Sequence, residues 1–223
     1  LTVTDSNGVV LTKVYDDLDR VIELQYSCSE DGGYDQVYCN SLVDNTEPLF
    51  YTYDSTCVDG GLSGIGHLCK VELGYNGPSV SYTYDIRGNV LRTKEVIAGK
   101  QYLTNYDYDD AGNVKSVKTL TDGVETSYSY DSLNRLKDVS IDGEIIDYNY
   151  GSSNTGGDKV GMVKQIDFPS GSSTDYIYHS RGWVSELETS INYNDNWVPG
   201  LREVYTYDDV GNYFNLDLSM LEK

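Results

Sequence analysis

A short tyrosine–aspartate motif recurs along the chain, and this recurrence constrains the fold more than any other feature. Six uninterrupted copies are KVYDDLDRVIEL at 13–24, YTYDIRGNVLRT at 82–93, YDYDDAGNVKSV at 106–117, YSYDSLNRLKDV at 128–139, YIYHSRGWVSEL at 176–187 and YTYDDVGNYFNL at 205–216. Two more copies, at 51–73 and 148–166, have insertions after Asp54 and Gly151. The spacing is irregular, because 24 residues separate Asp85 from Asp109 but only 22 separate Asp109 from Asp131. A fixed motif at variable spacing predicts strands joined by hairpins, whose loops are free to vary in length.

Each motif predicts a strand that ends in a tight turn. Aspartate is favoured at the first position of a type I turn, where its carboxylate can accept bonds from nearby backbone amides. Three residues later stands Gly, Asn or Asp, the residues that tolerate positive φ. The pattern therefore predicts a type I turn followed by a bulge residue. The predicted turn residues are Asp16, Asp19, Asp85, Gly88, Asp109, Gly112, Asp131, Asn134, Gly182, Asp208 and Gly211.

The paired tyrosines predict a ladder of aromatic rings. Side chains alternate along a strand, so the two rings of Tyr-x-Tyr share one face of the sheet. Corresponding rings of successive hairpins can then stack, at roughly 0.2–1 kcal/mol for each pair. The predicted ladder contains Tyr51, Tyr53, Tyr82, Tyr84, Tyr106, Tyr108, Tyr128, Tyr130, Tyr148, Tyr150, Tyr176, Tyr178, Tyr205 and Tyr207.

The segments between motifs complete the expected architecture. They carry turn signals of their own, such as the DG pairs at 122–123 and 142–143. After each motif turn an apolar residue is followed by another three places on, as at Val114 and Val117, and this odd step predicts a β-bulge. We therefore expect an all-β fold, a continuous antiparallel meander of hairpin repeats, with no long helix.

The acidic composition limits the classes of partner. There are 36 Asp and Glu residues against 16 Lys and Arg, for a formal charge of −20. Nucleic acid is excluded as an expected partner, since phosphate binding needs clustered basic residues. No apolar run approaches the length of a membrane span.

The four cysteines, Cys28, Cys39, Cys57 and Cys69, predict disulfides rather than a metal site. None forms a C-x-x-C pair, which makes zinc a poor match. Three pairings are possible, and we favour Cys28–Cys39 and Cys57–Cys69, each closing a hairpin-like loop. An even number of cysteines in a loop-rich β chain is typical of an oxidising compartment, so a secreted or cell-surface location is expected.

The motif Y-x-Y-D-x-x-G-N/R-V/L resembles the YD repeat of the Rhs, teneurin and toxin-complex C-component families. The resemblance covers nearly all of residues 1–223, in about eight repeats. In that family the repeats form a β-sheet that spirals into a hollow shell, which encloses a toxin in many bacterial members and belongs to an adhesion receptor in teneurins. The family's D-P-x-G core segment and hypervariable tail are missing here, and the chain begins with Leu1. The expectation is thus a shell segment from a longer protein.

The resemblance implies a structural wall that encloses or displays another domain, with no catalytic activity and no cofactor. Expected partners are neighbouring YD repeats of the same longer chain, or further copies of it, and an enclosed toxin domain, a glycan or a surface receptor. The alternative function is an extracellular binding module that recognises glycans or a partner protein through its tyrosine-rich face and inserted loops. Such a segment, expressed alone, is expected to assemble edge to edge.

Four features of the sequence have a chemical interpretation as well as a structural one. Ser63 beside His67 suggests a hydrolase, but GLSGIG does not make the G-x-S-x-G motif. His179 fills the slot that Asp occupies elsewhere and is expected to be a turn residue. Trp183 and Trp197 suggest platforms for sugars. Asp107, Asp109 and Asp110 suggest calcium, although the EF-hand pattern is absent.

Overall fold

The computed structural model describes residues 1–30, 33, 35–43, 46–54, 64–153, 157–193 and 196–220, with the side chains of 193, 196–199 and 214 left aside. The chain divides into two compact units, Leu1–Val124 and Glu125–Lys223. Each unit is built from antiparallel strands that pair with their neighbours in chain order. The predicted all-β fold of antiparallel hairpin repeats is therefore confirmed.

The first unit contains nine strands and one helix among the residues described. The elements are β1 (Thr2–Thr4), β2 (Val9–Tyr15), β3 (Val21–Cys28), α1 (Gln36–Val43), β4 (Leu49–Tyr53), β5 (Leu68–Leu73), β6 (Ser79–Tyr84), β7 (Val90–Ile97), β8 (Lys100–Tyr108) and β9 (Val114–Thr119).

The second unit contains eight strands among the residues described. They are β10 (Glu125–Tyr130), β11 (Leu136–Ile141), β12 (Glu144–Tyr150), β13 (Val163–Asp167), β14 (Ser173–Tyr178), β15 (Val184–Tyr193), β16 (Asn196–Tyr207) and β17 (Tyr213–Met220). Within a unit, motif turns join the strands at one end, and DG-type turns join them at the other, as at Gly143, which has positive φ.

The helix α1 corrects one expectation from the sequence. Cys28 and Cys39 form a disulfide, but the segment between them is not hairpin-like, because Gln36–Val43 is helical. Asp35 caps this helix, since its Oδ1 accepts the amides of Val37 at 3.0 Å and Tyr38 at 3.1 Å. Cys39 is a residue of this helix and is buried.

Few side chains are fully buried. Among the described residues the buried hydrophobic ones are Cys39 and Cys69, and the buried polar ones are Ser79, Ser81, Thr83 and Ser173. Most strand residues are half-buried on both faces of the sheet. Stability must therefore depend on strand pairing, turns and contacts between neighbouring repeats rather than on an aliphatic core between two layers.

The described part of the chain has no helix that is long and apolar enough to cross a bilayer.

Candidate functional site

The motif turn has the backbone geometry of a type I turn with a bulge. At Asp109 the backbone amide donates to the carbonyl of Asn113 at 2.9 Å, and the amide of Gly112 donates back to the carbonyl of Asp109 at 3.0 Å. The same pair of bonds begins at each uninterrupted copy: Asp16, Asp85, Asp109, Asp131, His179 and Asp208. These two bonds define the three-residue hairpin link expected from the sequence.

The third residue after the turn opener has positive φ in all six uninterrupted copies. The values are 59° at Asp19, 86° at Gly88, 89° at Gly112, 63° at Asn134, 87° at Gly182 and 95° at Gly211. Only a residue that tolerates the left-handed region fits there, which explains the restriction to Gly, Asn and Asp.

The aspartate carboxylate is held by the residue that follows the left-handed position. Asp109 Oδ1 accepts the amide of Asn113 at 2.9 Å, and Oδ2 accepts Asn113 Nδ2, also at 2.9 Å. Asn89 and Asn212 bind Asp85 and Asp208 in the same way. The Nε atoms of Arg20 and Arg135 replace the asparagine amide and donate to Asp16 at 2.8 Å and Asp131 at 2.7 Å. We call this arrangement of Asp with Asn or Arg the turn clamp.

The clamp lowers the pKa of its carboxylates. For Asp109 the main cause is the side-chain bond from Asn113, followed by backbone amide bonds, and burial opposes them. The pKa of Asp131 is lowered chiefly by the side chain of Arg135. Sequence reasoning missed this partner, although the recurring N or R after the left-handed residue was the available signal.

One further turn of this kind lies near the N-terminus and was also missed. The amide of Asp5 donates to the carbonyl of Val9 at 3.0 Å, and Gly8 has a φ of 81°. Its carboxylate accepts the amides of Asn7 and Val9. The DSNG sequence at 5–8 carried the Asp-x-x-Gly signal but lacks the preceding tyrosines.

The two interrupted copies rebuild the turn beyond their insertions. The amide of Asp54 donates to the carbonyl of His67 at 3.3 Å, and Asp54 Oδ1 accepts the amide of Gly66 at 2.6 Å. In the other copy Gly151 donates to the carbonyl of Met162 at 2.9 Å, and Gly161 takes a φ of 82°. An insertion thus changes the loop and preserves the closing bonds of the hairpin.

Every copy of the motif contains a β-bulge. The pairing register shifts at Tyr15, Tyr53, Tyr84, Tyr108, Tyr130, Tyr150, Tyr178 and Tyr207. For example, Asp107 pairs with Ser116 whereas Tyr108 pairs with Val114, which leaves Lys115 as the extra residue. The bulge suspected from the odd apolar step is confirmed.

Neighbouring repeats separate at the bulged end of their strands. Strands β7 and β8 pair from Ile97↔Lys100 to Arg92↔Asn105, although β7 begins at Val90 and β8 continues to Tyr108. The hydroxyl of Tyr108 bridges this gap by donating to the carbonyl of Val90 at 2.9 Å. Since a bulge disrupts the local ladder, the tyrosine supplies a bond where strand pairing has ended.

The same hydroxyl bridge recurs at four other repeats. It joins Tyr84 to Leu68 at 2.7 Å, Tyr150 to Leu136 at 2.7 Å, Tyr178 to Val163 at 2.6 Å and Tyr207 to Val184 at 2.6 Å. Burial is the main cause of the raised pKa of Tyr84, Tyr108, Tyr150 and Tyr178. We call this contact the tyrosine bridge.

The rings of Tyr53 and of two bridging tyrosines, Tyr84 and Tyr150, contact the preceding turn as well. Arg20 lies 4.5 Å from the Tyr53 ring centroid and Arg135 lies 4.1 Å from that of Tyr150. His67 stacks on Tyr84 with centroids 4.5 Å apart. The side chain after the left-handed residue therefore contacts the aspartate of its own turn, the tyrosine of the next repeat, or both. Arg20 and Arg135 make both contacts.

The predicted stacking of tyrosines between hairpins stays a prediction. The ring contact that the structure shows between two ladder tyrosines is Tyr82–Tyr84, within one strand, at 6.4 Å. The other predicted ladder residues occupy the expected alternate positions on β4, β8, β10, β12, β14 and β16. The bridge to a backbone carbonyl was not foreseen, because sequence periodicity does not show where strand pairing ends.

The copy with His179 has a different clamp. The ring of His179 stacks on Trp183 with centroids 5.8 Å apart, and its Nδ1 accepts the amide of Arg181 at 3.3 Å. Trp183 also contacts Tyr207 at 5.3 Å, and the guanidinium of Arg181 lies over the Trp183 ring at 5.4 Å. The expected turn role of His179 is what the geometry shows, with a ring pair in place of a carboxylate and amide.

The competing chemical interpretations gain little from the geometry. The ring of Trp183 packs against His179, Tyr207 and Arg181 and is therefore not an open platform for a sugar. The Asp109 carboxylate is engaged by its own turn, while Asp107 is exposed and lies 3.7 Å from Lys115. No group of three or more His, Cys, Asp or Glu residues in the described ranges could hold a metal ion. Ser63 and the side chain of Trp197 lie outside the description.

The second predicted disulfide cannot be followed, because Cys57 lies outside the described residues. Cys69, its expected partner, is a buried residue of β5 at the bulge. The pairing of Cys57 with Cys69 stays a prediction.

These features define a class of protein: an antiparallel hairpin array whose turns are held by turn clamps and whose repeats are joined by tyrosine bridges. Residues 108–145 match the family model of the RHS repeat. Residues of that match include the Asp109 and Asp131 turns, which have the clamp geometry described above.

Solved toxin-complex structures share this fold. The crystal structure of TcdB2-TccC3-Cdc42 superposes with a TM-score of 0.71 and 13% identity, covering 100% of this chain and 11% of that one. TcdB2-TccC3 without its hypervariable C-terminal region gives a TM-score of 0.74 at 13% identity, covering 98% and 11%. A mutant Tc holotoxin pore from Photorhabdus luminescens gives 0.70 at 13% identity, with the same coverages. No curated protein matches the sequence.

The resemblance to YD-repeat proteins is confirmed by these findings: the chain carries an RHS repeat and has a fold found in toxin-complex proteins. It spans about a tenth of the length of the solved chains that it matches.

Proposed function

We propose that this chain is a non-catalytic wall segment of a larger secreted or surface YD-repeat protein, and that the wall encloses or displays another domain. The tyrosine bridge is the observation that carries the proposal. Five bridges span successive repeats, and each places a hydroxyl on the backbone carbonyl of a residue that pairing with the next strand does not reach. The motif residues are thus engaged in joining repeats.

The inter-turn contacts support the same role. Arg87 Nη1 donates to the carbonyl of Asp110 in the next turn at 3.2 Å, and Arg181 reaches the carbonyl of Asp209 in the same manner. Contacts of this type hold neighbouring turns together at the ends of the strands.

Containment can be tested by protease protection in the longest native protein that includes residues 1–223. Under native conditions we expect a segment outside the YD repeats to survive digestion, and to be degraded once denaturant unfolds the wall. Cleavage of every other segment while the YD repeats stay intact would indicate display instead. Rapid cleavage within the YD repeats themselves would contradict a wall of either kind.

The bridges should also be needed for protection. A variant with Tyr84→Phe and Tyr108→Phe removes two hydroxyls from adjacent repeats and keeps both rings. We expect faster cleavage between residues 84 and 114 than in the native chain. Tyr102→Phe, an exposed tyrosine on β8, is the matched control and should leave the cleavage rate unchanged.

A further inference from the structure

Two Asn-Gly pairs occur in the sequence, Asn7–Gly8 and Asn76–Gly77. Such a pair is chemically labile, because a glycine without a Cβ lets its backbone nitrogen approach the carbonyl carbon of the asparagine side chain. Attack by that nitrogen expels the side-chain amide as ammonia and closes a cyclic imide. Since the two pairs have the same residues, the structure around each decides which of them reacts.

The Asn7–Gly8 pair is held inside the turn that opens at Asp5. The amide of Asn7 donates to Asp5 Oδ1 at 2.8 Å, and the amide of Gly8 donates to the Asp5 carbonyl at 3.2 Å. Gly8 is buried, and its carbonyl accepts the amide of Ser29 at 2.8 Å. The Gly8 nitrogen can therefore attack only after this turn has opened.

The Asn76–Gly77 pair lies in the loop that joins β5 to β6 and lacks such bonds. Within the described ranges the Gly77 amide has no hydrogen-bond acceptor, and Asn76 is exposed with a φ of 63°. The loop is closed by a bond from the amide of Leu73 to the carbonyl of Pro78 at 2.9 Å. Proline has no amide hydrogen, so the return bond to Leu73 that an antiparallel pair would normally form is missing.

The base of the same loop is fixed by its neighbours. The amide of Gly74 donates to the carbonyl of Pro48 at 2.7 Å, and the carboxylate of Glu47 packs against Gly74. A Cβ added at Gly77 would overlap the carbonyl oxygen of Leu73, so glycine is required there. Packing therefore retains the residue that makes Asn76 labile, while no hydrogen bond restrains its nitrogen.

We propose that Asn76, in contrast to Asn7, is a site of spontaneous deamidation that gives the β5–β6 loop an aspartyl or isoaspartyl residue. The Gly77 nitrogen bonds to Asn76 Cγ, the Cγ–Nδ2 bond breaks, and the proton of the Gly77 amide leaves with the side-chain nitrogen as ammonia. Water then opens the imide. Opening at Cγ yields aspartate, and opening at the main-chain carbonyl carbon yields isoaspartate. Both products add a negative charge to a loop that already contacts the carboxylate of Glu47.

Peptide mapping of the chain 1–223 tests the proposal, because trypsin places the two pairs in separate peptides, 1–13 and 71–87. After incubation of the folded chain at about pH 8, we expect conversion of Asn76 to exceed that of Asn7 by about tenfold or more, since the Asp5 turn must open first. In the urea-unfolded chain the two rates should agree within about twofold, because the structural protection is lost. Isoaspartate in peptide 71–87 reports the imide, since direct hydrolysis yields aspartate alone.

Substitutions test whether the two environments cause the difference. Asp5→Ala removes the carboxylate that accepts the amides of Asn7 and Val9. It should raise the rate at Asn7 several-fold and leave the rate at Asn76 unchanged. Asn7→Gln is the matched control for Asn76→Gln, and only the second should abolish conversion in peptide 71–87.

Three results would overturn the proposal. Equal conversion of Asn76 and Asn7 in the folded chain would show that the structure does not select between them. Conversion of Asn76 without isoaspartate would exclude attack by the Gly77 nitrogen. A rate at Asn7 that Asp5→Ala leaves unchanged would contradict the protection by the Asp5 turn on which the selectivity depends.

Discussion

The junction after the Asp85 turn and the junction after the His179 turn perform the same task with different side chains. In the first, Asn89 holds the Asp85 carboxylate and leaves the next turn untouched, since nothing lies within 4 Å of an added Cβ at Gly112. In the second, Trp183 stacks on His179 and extends over the next turn, where a Cβ at Gly211 would lie 2.6 Å from Trp183 Cζ2. Both junctions keep the tyrosine bridge, at 2.9 Å and 2.6 Å.

The difference shows that the bridge is the constant part of the joint and the clamp is the adaptable part. The asparagine clamp of the Asp85 turn confines its bonds to one turn. A ring clamp couples two turns, so the glycine of the second turn acquires a packing role in addition to its positive φ. We therefore expect a substitution in the ring clamp to be tolerated better when the neighbouring turn is substituted as well.

The largest difference between the junctions is expected from replacing their glycines. Gly112→Ala should cost about 1–2 kcal/mol of unfolding free energy, because alanine is strained at positive φ. Gly211→Ala should cost about 3 kcal/mol or more, since its methyl group also meets the rigid indole of Trp183. Urea unfolding of the two variants measures the difference.

A second substitution shows whether the indole is responsible. In the Gly211→Ala background, Trp183→Ala should remove the clash and bring the further cost of the alanine at 211 down to that of Gly112→Ala. If the cost at 211 is unchanged without the indole, the backbone alone explains it and the two junctions do not differ in packing.

The second-largest effect is expected from acid, which should weaken the polar clamps. Bonds from Asn89 lower the pKa of Asp85 most strongly, and Asn212 does the same for Asp208. Because the folded pKa values lie below those of the unfolded chain, the stabilisation is present above about pH 4 and is lost as pH falls through the folded values. We expect the urea midpoint to fall between pH 5 and pH 2.5. Asp85→Asn should lower the midpoint at pH 5 and flatten this fall, and an unchanged slope would show that the clamp contributes nothing to acid sensitivity.

The tyrosine bridge should respond alike in both junctions when only its hydroxyl is removed. Tyr108→Phe and Tyr207→Phe each leave a carbonyl without its donor, at a cost of about 1 kcal/mol in unfolding free energy. Replacement by Leu sharpens the comparison, because Tyr207 also loses its ring contact with Trp183. Tyr207→Leu should therefore be more destabilising than Tyr108→Leu, by about 0.5–1 kcal/mol. Equal losses would mean that the indole contact adds nothing.

Local chemistry explains which parts of this structure the sequence could predict. The turn at Asp109 could be predicted because its opener and its left-handed glycine lie only three residues apart and recur at this spacing in other copies. The bulge at Tyr108 could be predicted because the alternation of apolar and polar residues is broken after the turn. The helix Gln36–Val43 was not, since it lies in a segment with no repeat partner and only Asp35 marks its start.

The site features that escaped prediction all depend on separations that periodicity does not specify. Tyr108 reaches Val90 over 18 residues, and the bond exists only because β7 and β8 stop pairing before their ends. The asparagine of the clamp recurs in the sequence, but its role could be recognised only once the structure placed it against the aspartate carboxylate.

The smallest effect is expected from converting the His179 junction into a polar one. In His179→Asp with Trp183→Asn, the new carboxylate can accept the amides of Arg181 and residue 183 and the new side-chain amide, as Asp85 does. The exchange gives up ring contacts with His179, Arg181 and Tyr207, so gains and losses oppose each other and the thermal midpoint should shift by less than about 3 °C. Each single substitution should be more destabilising than the pair, because His179→Asp alone faces an indole and Trp183→Asn alone faces an imidazole. Additive single effects would show that positions 179 and 183 act independently. The ring clamp would then not be a unit, and the two junctions could not be treated as alternatives.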